Sequence, residues 1–515
     1  MEENEGRPQF GGFMKKAMKI LAGVLAVALI VFAAREIYIR QTTDKIYLIY
    51  TSDIHGHVLP EKHYDASSGV TWETGGAGSL NTYMSFLDKP HLLIDAGDIF
   101  MGTPEGALGR GEFIVKLMND LKYAAVAVGN HELDYGIDNF KKLAAKSDFP
   151  FLCCNLTYRD GSEISFIKPY EIFEVGGYKI GVTAVIEEDL HKVLAGANAA
   201  MFAVKPAAES AQKIADELAE KCDVVVVLSG LGLEEDKELA KKITGVDIIA
   251  GGETHIALEK AVKINGIMVC EPGWGMRYAG KIEMRVGKKG LVRAKWHLDK
   301  LLLSKYQSGS FVSERIGEYE TDDYKNMNSP VGSSSMWIQR QGPGCLNPMG
   351  NLVADAMRAA AGTDFAFQNQ YGIRSEIAPG TVRIKDIVAV SPFGNTIVTM
   401  KMTGAGVREL LKQSATMEKG LLQMSGLKMM FNSELPKDKR LLNVIVKDAE
   451  IDGEKEYTVA TNSFLAGGGD GFVTFKEGKD IKDTKIKLMD AEIEYFKNHS
   501  PVSPSQEERI TDIRN

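Results

Sequence analysis

The sequence predicts an α/β fold in two domains, the second of which is predicted as either α/β or α+β. In the first domain, residues 45–303, short apolar runs that are typical of strands alternate with helical stretches such as 207–221. The second domain, residues 341–497, opens with a helix that has Asn347 as its N-cap and Pro348 at its first position. Buried strands that alternate with helices are the pattern of a sheet covered by helices.

Two stretches lie outside these domains. Residues 304–340 are polar and include a run of serines, Ser333 to Ser335, so we predict a linker there. Residues 498–515 are predicted to be a polar tail, and residues 1–44 to precede the first domain. Polar segments of this kind are where domain boundaries usually fall.

Charge and cysteine content narrow the class of protein. The 515-residue chain has 61 basic and 69 acidic side chains and a net charge of −8, which argues against a nucleic-acid polymer as partner, because phosphate backbones need a basic surface. A mononucleotide needs only a few well-placed cations and is compatible with this charge. The five cysteines are odd in number and show no C-x-x-C spacing, so free thiols are predicted rather than a disulfide framework.

The N-terminus predicts export. Several lysines precede an uncharged apolar run, residues 20–34, which Arg35 closes. The run is shorter than the ~20 residues that span a membrane as a helix, and it has the length of a signal-peptide core. We predict that residues 1–44 hold a cytoplasmic tail with an uncleaved signal anchor, or alternatively a cleaved signal peptide. The domains are then extracellular or periplasmic, attached to the cell membrane in the first case and secreted in the second.

Polar side chains follow predicted strands at the point where each strand ends. The strand-like runs are residues 46–50, 91–95, 124–128, 224–228 and 246–250. The polar residues that follow four of them are Asp53, His55, Asp98, Asn130, His131, Glu253 and His255. Because the carboxyl ends of parallel strands meet at one edge of a sheet, these side chains are expected to converge. Carboxylate, imidazole and amide oxygen are ligands of divalent cations, and two ions ~3.5–4 Å apart clamp a phosphoryl group and supply a hydroxide nucleophile.

Three motifs of the first domain resemble those of the calcineurin-like metallophosphoesterases. More specifically, they are similar to those of the 5′-nucleotidases, including bacterial UDP-sugar hydrolases and 2′,3′-cyclic-nucleotide phosphodiesterases. The motifs are Thr51-Ser52-Asp53-Ile54-His55-Gly56, Gly97-Asp98 with Gly102-Thr103-Pro104-Glu105-Gly106, and Gly129-Asn130-His131-Glu132-Leu133-Asp134-Tyr135-Gly136. The resemblance covers nearly all of residues 45–490 and implies that the first domain has four layers, two sheets between helices.

The resemblance also implies roles for the strand-end residues. One metal ion is expected to be held by Asp53, His55, Asp98 and His255. A second is expected to be approached by Asp98, Asn130 and Glu253. His131 is expected to stabilise phosphate oxygens or the leaving group, and Asp134 to orient its imidazole. The expected cofactors are thus two divalent ions drawn from zinc, manganese, magnesium and cobalt.

Two positions depart from the family pattern. Where the family usually has S-H-L-G, the chain has Ser229-Gly230-Leu231-Gly232, and where it usually has G-G-H-T-H, the chain has Gly251-Gly252-Glu253-Thr254-His255. Both changes fall on the second metal site, which is predicted to favour Mn²⁺ or Mg²⁺, or to be weak or empty. Two hypotheses stay open, an active enzyme with altered metal preference and a catalytically weakened protein that chiefly binds a nucleotide.

The second domain resembles the C-terminal domain of 5′-nucleotidases in four motifs. They are Gly350-Asn351-Leu352-Val353-Ala354-Asp355-Ala356-Met357-Arg358, Asn369-Gln370-Tyr371-Gly372-Ile373-Arg374, Ser391-Pro392-Phe393-Gly394-Asn395 and Phe464-Leu465-Ala466-Gly467-Gly468-Gly469-Asp470-Gly471-Phe472. The resemblance implies that substrate is bound by Asn369, Arg374, Phe393, Asn395, Phe464 and Asp470. The two phenylalanines are expected to sandwich the nucleobase. Asn395 would reach a base edge, Asp470 the ribose hydroxyls, and Arg374 the phosphate.

These residues and the resemblance together predict an exported, metal-dependent phosphoesterase that hydrolyses nucleoside 5′-monophosphates by attack of a metal-bound hydroxide. Nucleotide sugars and 2′,3′-cyclic nucleotides are further expected substrates, and Gln370 and Tyr371, which replace two small residues of the family motif, leave the choice of nucleotide open. The active site is expected between the domains, where domain rotation would gate substrate entry. The expected partners are a small nucleotide and, through the N-terminal apolar segment, a membrane, and the sequence leaves protein partners open.

Overall fold

A computed structural model describes residues 10–65, 69–190, 194, 196–319, 322–417, 420–503 and 505–514. Its first element is helix α1 (Phe10–Thr42), which continues directly into strand β1 (Thr43–Thr51). Near the end of α1, Ile39 is buried and Glu36 forms a two-point ion pair with Arg293 of the first domain. None of the described helices combines the length and the apolarity that crossing a membrane requires. The signal anchor and the cleaved signal peptide stay predictions.

The α/β alternation predicted for the first domain is confirmed, and most of its strands form two large sheets. Besides β1, the first sheet contains β4 (His91–Asp95), β5 (Ala125–Ala127), β6 (Phe151–Leu152), β8 (Ile167–Lys168), β16 (Tyr278–Gly287) and β17 (Gly290–Lys300). The strand order is β17-β16-β1-β4-β5-β6-β8. The strands from β1 to β8 run parallel, whereas β16 is antiparallel to both of its neighbours. The carboxyl ends of the parallel strands therefore share one edge.

The second sheet lies against the first. Its strands are β9 (Tyr170–Val175), β10 (Tyr178–Ile186), β12 (Val224–Gly230), β13 (Ile248–Gly251), β14 (Val262–Ile264) and β15 (Ile267–Cys270), in the order β14-β15-β13-β12-β10-β9. Strand β12 is buried along its whole length because both of its faces are covered. Val224 and Val226 join the core between the two sheets, whereas Val225 packs against the helices outside the second sheet. This accounts for an unbroken valine run instead of an alternating one.

Helices cover the outer face of each sheet. The helices of the first domain are α2 (Gly76–Ser85), α3 (Pro104–Ala107), α4 (Glu112–Asp120), α5 (Ile137–Ala144), α6 (Gly196–Ala199), α7 (Ala207–Ala219) and α8 (Leu233–Lys242). Helices α4 and α5 share a core with the first sheet, and α7 and α8 share one with the second. A third core fills the space between the sheets. The predicted four-layer architecture is confirmed.

The first domain also contains short strand pairs, and further short elements connect it to the second domain. They are the pairs β2 (Glu61–Asp65) with β3 (Val70–Thr74) and β7 (Leu156–Tyr158) with β11 (Phe202–Val204), then α9 (Phe311–Ile316), α10 (Asp322–Asn326) and β18 (Pro330–Ser334). The last three lie inside residues 304–340, the predicted linker, and β18 pairs with β20 (Gly380–Arg383) of the second domain. The domain boundaries themselves stay a prediction.

The second domain is built on a five-stranded sheet with the order β22-β19-β26-β21-β27. Its strands are β19 (Phe365–Gln368), β21 (Thr396–Thr403), β22 (Gln423–Ser425), β26 (Glu456–Asn462) and β27 (Lys479–Lys487), and a four-stranded sheet holds β23 (Lys428–Phe431), β24 (Leu441–Val446), β25 (Ala449–Glu450) and β28 (Ile510–Asp512). The helices are α11 (Pro348–Ala361), α12 (Ile384–Val390), α13 (Gly404–Ala415), α14 (Ser463–Ala466) and α15 (Leu488–His499). Asn347 caps α11 as predicted, because its side chain accepts a hydrogen bond from Gly350 N.

The C-terminal segment 498–515, predicted as a polar tail, contributes a strand to this domain. Strand β28 pairs in parallel with β23, and Ile510 is buried. Arg509 forms a two-point ion pair with Asp355 on α11, with both N–O distances at 2.9 Å. The predominantly polar composition hid this strand, because Ile510 is the one apolar residue within it. All five cysteines are free, as predicted.

Candidate active site at the junction of the domains

The predicted ligands follow strands whose carboxyl ends share the domain edge. Asp53 and His55 follow β1, Asp98 follows β4, Asn130 follows β5, and Glu253 and His255 follow β13. Left-handed backbone, with φ between 46° and 71°, occurs at Asp53, His55, Asp98, Glu253 and His255. Non-glycine residues rarely adopt such backbone, and it concentrates at functional sites because the surrounding structure must hold it in place. The loops are therefore shaped to present these side chains.

Asp53, His55 and His255 form a first cluster, with ligand atoms all within 4.8 Å of one another. The two histidine Nε2 atoms are 3.1 Å apart, and His255 Nε2 is 3.6 Å from Asp53 Oδ1. His55 Nδ1 lies 3.0 Å from the Met101 carbonyl and donates to it, so its Nε2 lone pair faces the cluster. Burial and then the charge of Arg374 lower the pKa of both histidines well below the usual range, which keeps them in the neutral form that binds metals.

A second cluster adjoins the first through His55, whose ligand atom lies within 4.8 Å of those of Asp98 and His131. One terminal atom of the Asn130 amide lies 3.2 Å from both Asp98 Oδ2 and Glu253 Oε2. If this atom is nitrogen, it donates to both carboxylates, and if it is oxygen, three oxygens meet as they do around a divalent cation. Burial and then the Asp98 carboxylate raise the pKa of Glu253 to about 8, so ionisation of Glu253 beside Asp98 is opposed unless a cation is bound.

The donor set of both clusters fits divalent cations. Burial and then the Asp98 carboxylate raise the pKa of Asp53 well above its usual range. Crowded carboxylates of this kind are stabilised in ionised form by a nearby cation. Gly230, by contrast, ends β12 without a side-chain donor atom, and a Cβ there would meet only the Val185 carbonyl, at 3.7 Å. The space for a side chain exists, but glycine offers no side-chain ligand to fill it.

Glu132 supports the second cluster from behind, a role that sequence reasoning missed. Its buried carboxylate accepts hydrogen bonds from the backbone N–H groups of Asp98 at 3.0 Å, Ile99 at 2.9 Å and Gly129 at 2.6 Å. It therefore ties the loop after β4 to the loop after β5, which carries Asn130. The available sequence signal was a glutamate inside an otherwise recognised motif, next to His131.

The imidazole of His131 contacts the Asp134 carboxylate, and its predicted catalytic role stays a prediction. Its Nδ1 lies 2.6 Å from Asp134 Oδ2, and its Nε2 lies 3.3 Å from the Asn130 amide at the second cluster. Although burial opposes the charged imidazole, Asp134 and then Asp98 raise the pKa of His131 to about 9. The ring stacks at 5.9 Å on Phe393 of the second domain. The arrangement can place a positive charge beside the clusters.

Arg374 brings the second domain to the same point. Its Nη2 donates to His55 Nε2 at 2.7 Å, and its guanidinium lies 5.7 Å from the Phe393 ring centroid. Tyr324, which precedes the second domain, donates a buried hydrogen bond to Glu105 on α3 at 2.7 Å. The two halves of the chain therefore meet at the clusters.

The other predicted substrate-binding residues lie in neighbouring loops of the second domain, where several of them have hydrogen-bond partners. Asn369 Nδ2 donates to Asp470 Oδ2 at 2.8 Å, and Ser463 Oγ donates to Asn395 Oδ1 at 2.9 Å. Phe464 packs against Gly469, where a Cβ would lie 2.4 Å from the ring. Tyr371 is 51% exposed and therefore faces solvent rather than the core. Their roles in binding a nucleotide stay predictions.

Two family profiles match the chain. The profile of the calcineurin-like phosphoesterases matches residues 46–257, and that of the 5′-nucleotidase C-terminal domain matches residues 329–477. Both domains are thus matched, in the order in which the resemblance placed them. The chain belongs to the 5′-nucleotidase family.

Relatives and solved structures agree with this membership. The chain is 27% identical to the trifunctional nucleotide phosphoesterase protein YfkN of Bacillus subtilis, over 90% of this chain but only 35% of that one. It is 26% identical to the snake venom 5′-nucleotidase of Crotalus adamanteus, over 90% and 88% of the two chains. The crystal structure of the 5′-nucleotidase precursor of Thermus thermophilus superposes with a TM-score of 0.83 at 28% identity, covering 92% of this chain and all of that one.

Membership makes this 5′-nucleotidase family member a phosphoesterase, as predicted, and its first domain belongs to a family that uses divalent metals. The loop 273–277 was not predicted as part of the site, yet its Trp274 ring stacks on His255 with centroids 5.3 Å apart. A signal was present in Gly273-Trp274-Gly275, since glycines on both sides of an aromatic residue permit a tight loop close to a ligand. His57 was also missed, although it stands two residues from His55.

Proposed function

We propose that this 5′-nucleotidase family member hydrolyses nucleoside 5′-monophosphates with the help of two divalent metal ions, and that nucleotide sugars and 2′,3′-cyclic nucleotides are further substrates. The proposal is supported most directly by Arg374, whose guanidinium reaches the His55 ring nitrogen across the domain boundary at 2.7 Å. An arginine of the second domain that lies beside metal ligands of the first is well placed to bind a phosphate group between the two domains.

Divalent ions bound at the clusters would supply an activated water and compensate the charge of the phosphoryl oxygens. The first ion would be held by Asp53, His55, Asp98 and His255, and the second by Asp98, Asn130 and Glu253. The remaining interactions with the phosphate group come from protein side chains. Asp134 fixes the His131 ring, so that His131 Nε2 can stabilise charge on a phosphoryl or leaving oxygen. Arg374 holds the phosphate with paired donors.

The second domain would hold the nucleoside. Phe393 and Phe464 are proposed to contact the base, Asn395 its edge, and Asp470 with Asn369 the ribose. Support comes from their common location in loops beside Arg374 and from the family match over residues 329–477. Exchange of the Asn369–Asp470 hydrogen bond for bonds to ribose hydroxyls would keep both side chains satisfied.

A phosphate-release screen tests the proposal. Purified protein is incubated with nucleoside monophosphates, UDP-glucose and 2′,3′-cyclic AMP, each with Zn²⁺, Mn²⁺, Co²⁺ or Mg²⁺. AMP is expected to be hydrolysed with at least one metal, and lack of turnover with all four would refute the proposal. Arg374→Ala combined with Phe464→Ala should raise the KM for AMP at least tenfold, whereas Arg408→Ala, which removes an exposed ion pair with Glu450, should not. An unchanged KM in the double variant would remove the nucleoside site from the proposal.

A second candidate function is nucleotide binding with little catalysis, which the missing donor at Gly230 favours. The variant Gly230→His distinguishes the two, because the nearest atom to a new Cβ is at an ordinary contact distance of 3.7 Å. If turnover rises tenfold or more on this change while nucleotide affinity is unchanged, the natural protein is a weakened enzyme. If the natural protein already turns over efficiently, nucleotide binding alone is excluded.

We further propose that the domains act outside the cytoplasm. The lysines that precede the apolar run 20–34 support this, as does the venom origin of a full-length relative. Protease treatment of intact cells should digest the domains, and their protection would contradict export. Sequencing of the mature N-terminus then separates an uncleaved signal anchor from a cleaved signal peptide.

A further inference from the structure

The two histidines of the first cluster are held in place by different means. His55 Nδ1 donates to the Met101 carbonyl at 3.0 Å, which fixes the plane of its ring, and most histidines that bind metals have such a bond on their other nitrogen. His255 differs, because among the described residues its side chain makes polar contacts only through Nε2, at 3.1 Å from His55 Nε2 and 3.6 Å from Asp53 Oδ1. The plane of the His255 ring therefore needs another restraint.

The indole of Trp274 provides a surface for this ring. It lies nearly parallel to the imidazole of His255, with centroids 5.3 Å apart and planes 20° apart, which is a favourable stacked geometry. Stacking covers a face of the imidazole and leaves its edge, which carries the nitrogen atoms, free to face the cluster. Rotation about the bond between Cβ and the ring would break the stack and turn the Nε2 lone pair away from Asp53.

The loop 273–277, between β15 and β16, carries Trp274 and is bonded to both ligand-bearing segments of the first cluster. Three hydrogen bonds of 2.9–3.0 Å make this connection, from Gly275 N to the Asp53 carbonyl, from Ser52 Oγ to the Gly273 carbonyl, and from Gly273 N to the Ile256 carbonyl. The first two bonds reach the segment after β1, and the third reaches the residue that follows His255. The position of Trp274 relative to His255 therefore does not depend on stacking alone.

The indole is itself held by further contacts. The His57 ring meets it edge-on, with centroids 5.0 Å apart, and the Arg277 guanidinium lies 3.8 Å from its centroid, within the range of a cation–π interaction. Gly273 and Gly275, on either side of Trp274, have φ values of 81° and 64°, which glycine adopts without strain and which turn the chain tightly around the tryptophan. An indole restrained in this way can act as a fixed surface for a metal ligand.

We propose that Trp274 is a positioning residue for the metal ion of the first cluster, whose indole holds the His255 imidazole with Nε2 directed at the ion, as the Met101 carbonyl does for His55. The inference rests on the proposed function, which places a divalent ion at this cluster. A ligand that is oriented in advance loses less freedom when the ion binds, so the affinity is higher. Residues that orient a metal ligand change metal affinity about 10–100-fold, and an effect of this size is expected of Trp274.

Metal binding without nucleotide tests this role. The Zn²⁺ affinity of the metal-free protein is measured by competition with a chromophoric chelator, and the geometry of the site by the visible absorption spectrum of bound Co²⁺. Trp274→Leu should lower the Zn²⁺ affinity at least tenfold and change the Co²⁺ spectrum. Trp274→Phe, which keeps an aromatic face, should lower the affinity less and preserve the spectrum. Trp72→Leu is the matched control and should change neither, because its indole lies 4.5 Å from the ring of His63, a histidine outside the clusters.

Two outcomes would overturn the inference. One is a Zn²⁺ affinity that changes less than twofold in Trp274→Leu with a natural Co²⁺ spectrum, and the other is an equal loss in Trp274→Leu and Trp274→Phe, which would mean that stacking is not the restraint. Circular dichroism and thermal melting show whether each variant is folded. If the natural protein binds no divalent ion, the proposed function itself fails, whereas metal binding and AMP hydrolysis by the natural protein, with unchanged affinity in Trp274→Leu, reject only the positioning role.

Discussion

At the scale of single residues, the candidate ligands depend on a side chain that touches no substrate. Glu132 accepts three backbone hydrogen bonds and thereby fixes the loops that carry Asp98 and Asn130. Burial and then Asp98 raise its pKa to about 7, while the three N–H groups favour its ionised form. A carboxylate is well suited here because its two oxygens can each accept from the surrounding donors.

The variant Glu132→Gln should loosen both loops. Glutamine keeps one acceptor oxygen and turns an NH₂ group toward a backbone N–H, which leaves a buried donor unpaired at a cost of ~1–3 kcal/mol. We expect a lower melting temperature and weaker metal binding, measured by calorimetry and by competition with a chromophoric chelator. Glu163→Gln, at an exposed position, should change neither. Unchanged metal affinity in Glu132→Gln would contradict the supporting role.

At the scale of elements, helices α12 and α15 meet at a buried polar contact. Ser391, which directly follows α12, donates to Glu492 Oε1 on α15 at 2.6 Å, and Glu492 Oε2 has no partner among the described residues. Burial raises the pKa of Glu492 to about 8. Because Ser391 directly precedes the Pro392-Phe393 segment, this contact positions the loop that reaches His131.

The contact should make stability depend on pH. An unfolded glutamate has a pKa of about 4.3, so between that value and about 8 the folded chain binds more protons than the unfolded one, and stability falls as pH rises. Glu492→Gln removes this dependence and should stabilise the protein by about 1–3 kcal/mol at pH 8.5 but by little at pH 4.5. Melting curves across this range test the expectation, with Glu494→Gln, exposed on the same helix, as the control. A difference that does not vary with pH would contradict it.

Strand β28 is the other element whose attachment can be tested. Arg509 joins it to α11 through Asp355 and also donates to the Met424 carbonyl at 2.9 Å. Arg509→Met should destabilise the second domain by about 2–3 kcal/mol, below the range for a fully buried pair because Asp355 is partly exposed. Denaturant titration provides the measurement, and Arg514→Met, which removes an exposed arginine on the same segment, should have little effect. Equal stability of the two variants would show that β28 is dispensable.

At the scale of the whole molecule, the candidate site exists only because distant parts of the chain meet. Glu253 N donates to Asp53 across 200 positions of sequence, and Arg374 bonds to His55 from the other domain. Phe393 lies over His131 across the same boundary. The geometry of the clusters therefore depends on the contact between the two domains, and bound metal is expected to stabilise that contact.

Metal removal tests this coupling. Chelation should abolish phosphate release and lower the melting temperature, because without cations the carboxylates of Asp53, Asp98 and Glu253 are crowded together. An ion at 100 times its Kd contributes ~2.7 kcal/mol, so re-addition should restore both. The response should be lost in His55→Ala and kept in His91→Ala, an exposed histidine. A metal-independent melting temperature in the natural protein would contradict the coupling.

Sequence reasoning predicted the order of strands and helices, and the convergence of the strand-end residues, because buried strands of a parallel sheet deliver their carboxyl ends to one edge. The motif residues Asp53, His55, Asp98 and His255 were found in this way. The positions of Glu132 and Trp274 in the site depend on which backbone or ring lies opposite them, which no local pattern encodes. Strand β28 was missed for the same reason, because its pairing with β23 is set by tertiary contacts rather than by composition.

The backbone conformation of the ligand loops limits how far the stability of this protein can be raised without loss of activity. Each ligand with positive φ holds a conformation that glycine adopts freely, at a cost of ~1–3 kcal/mol. Selection of a variant library for thermal stability alone should therefore enrich glycine at positions 53, 55, 98, 253 and 255. The most stable variants are then expected to have lost metal ligands and with them phosphoesterase activity.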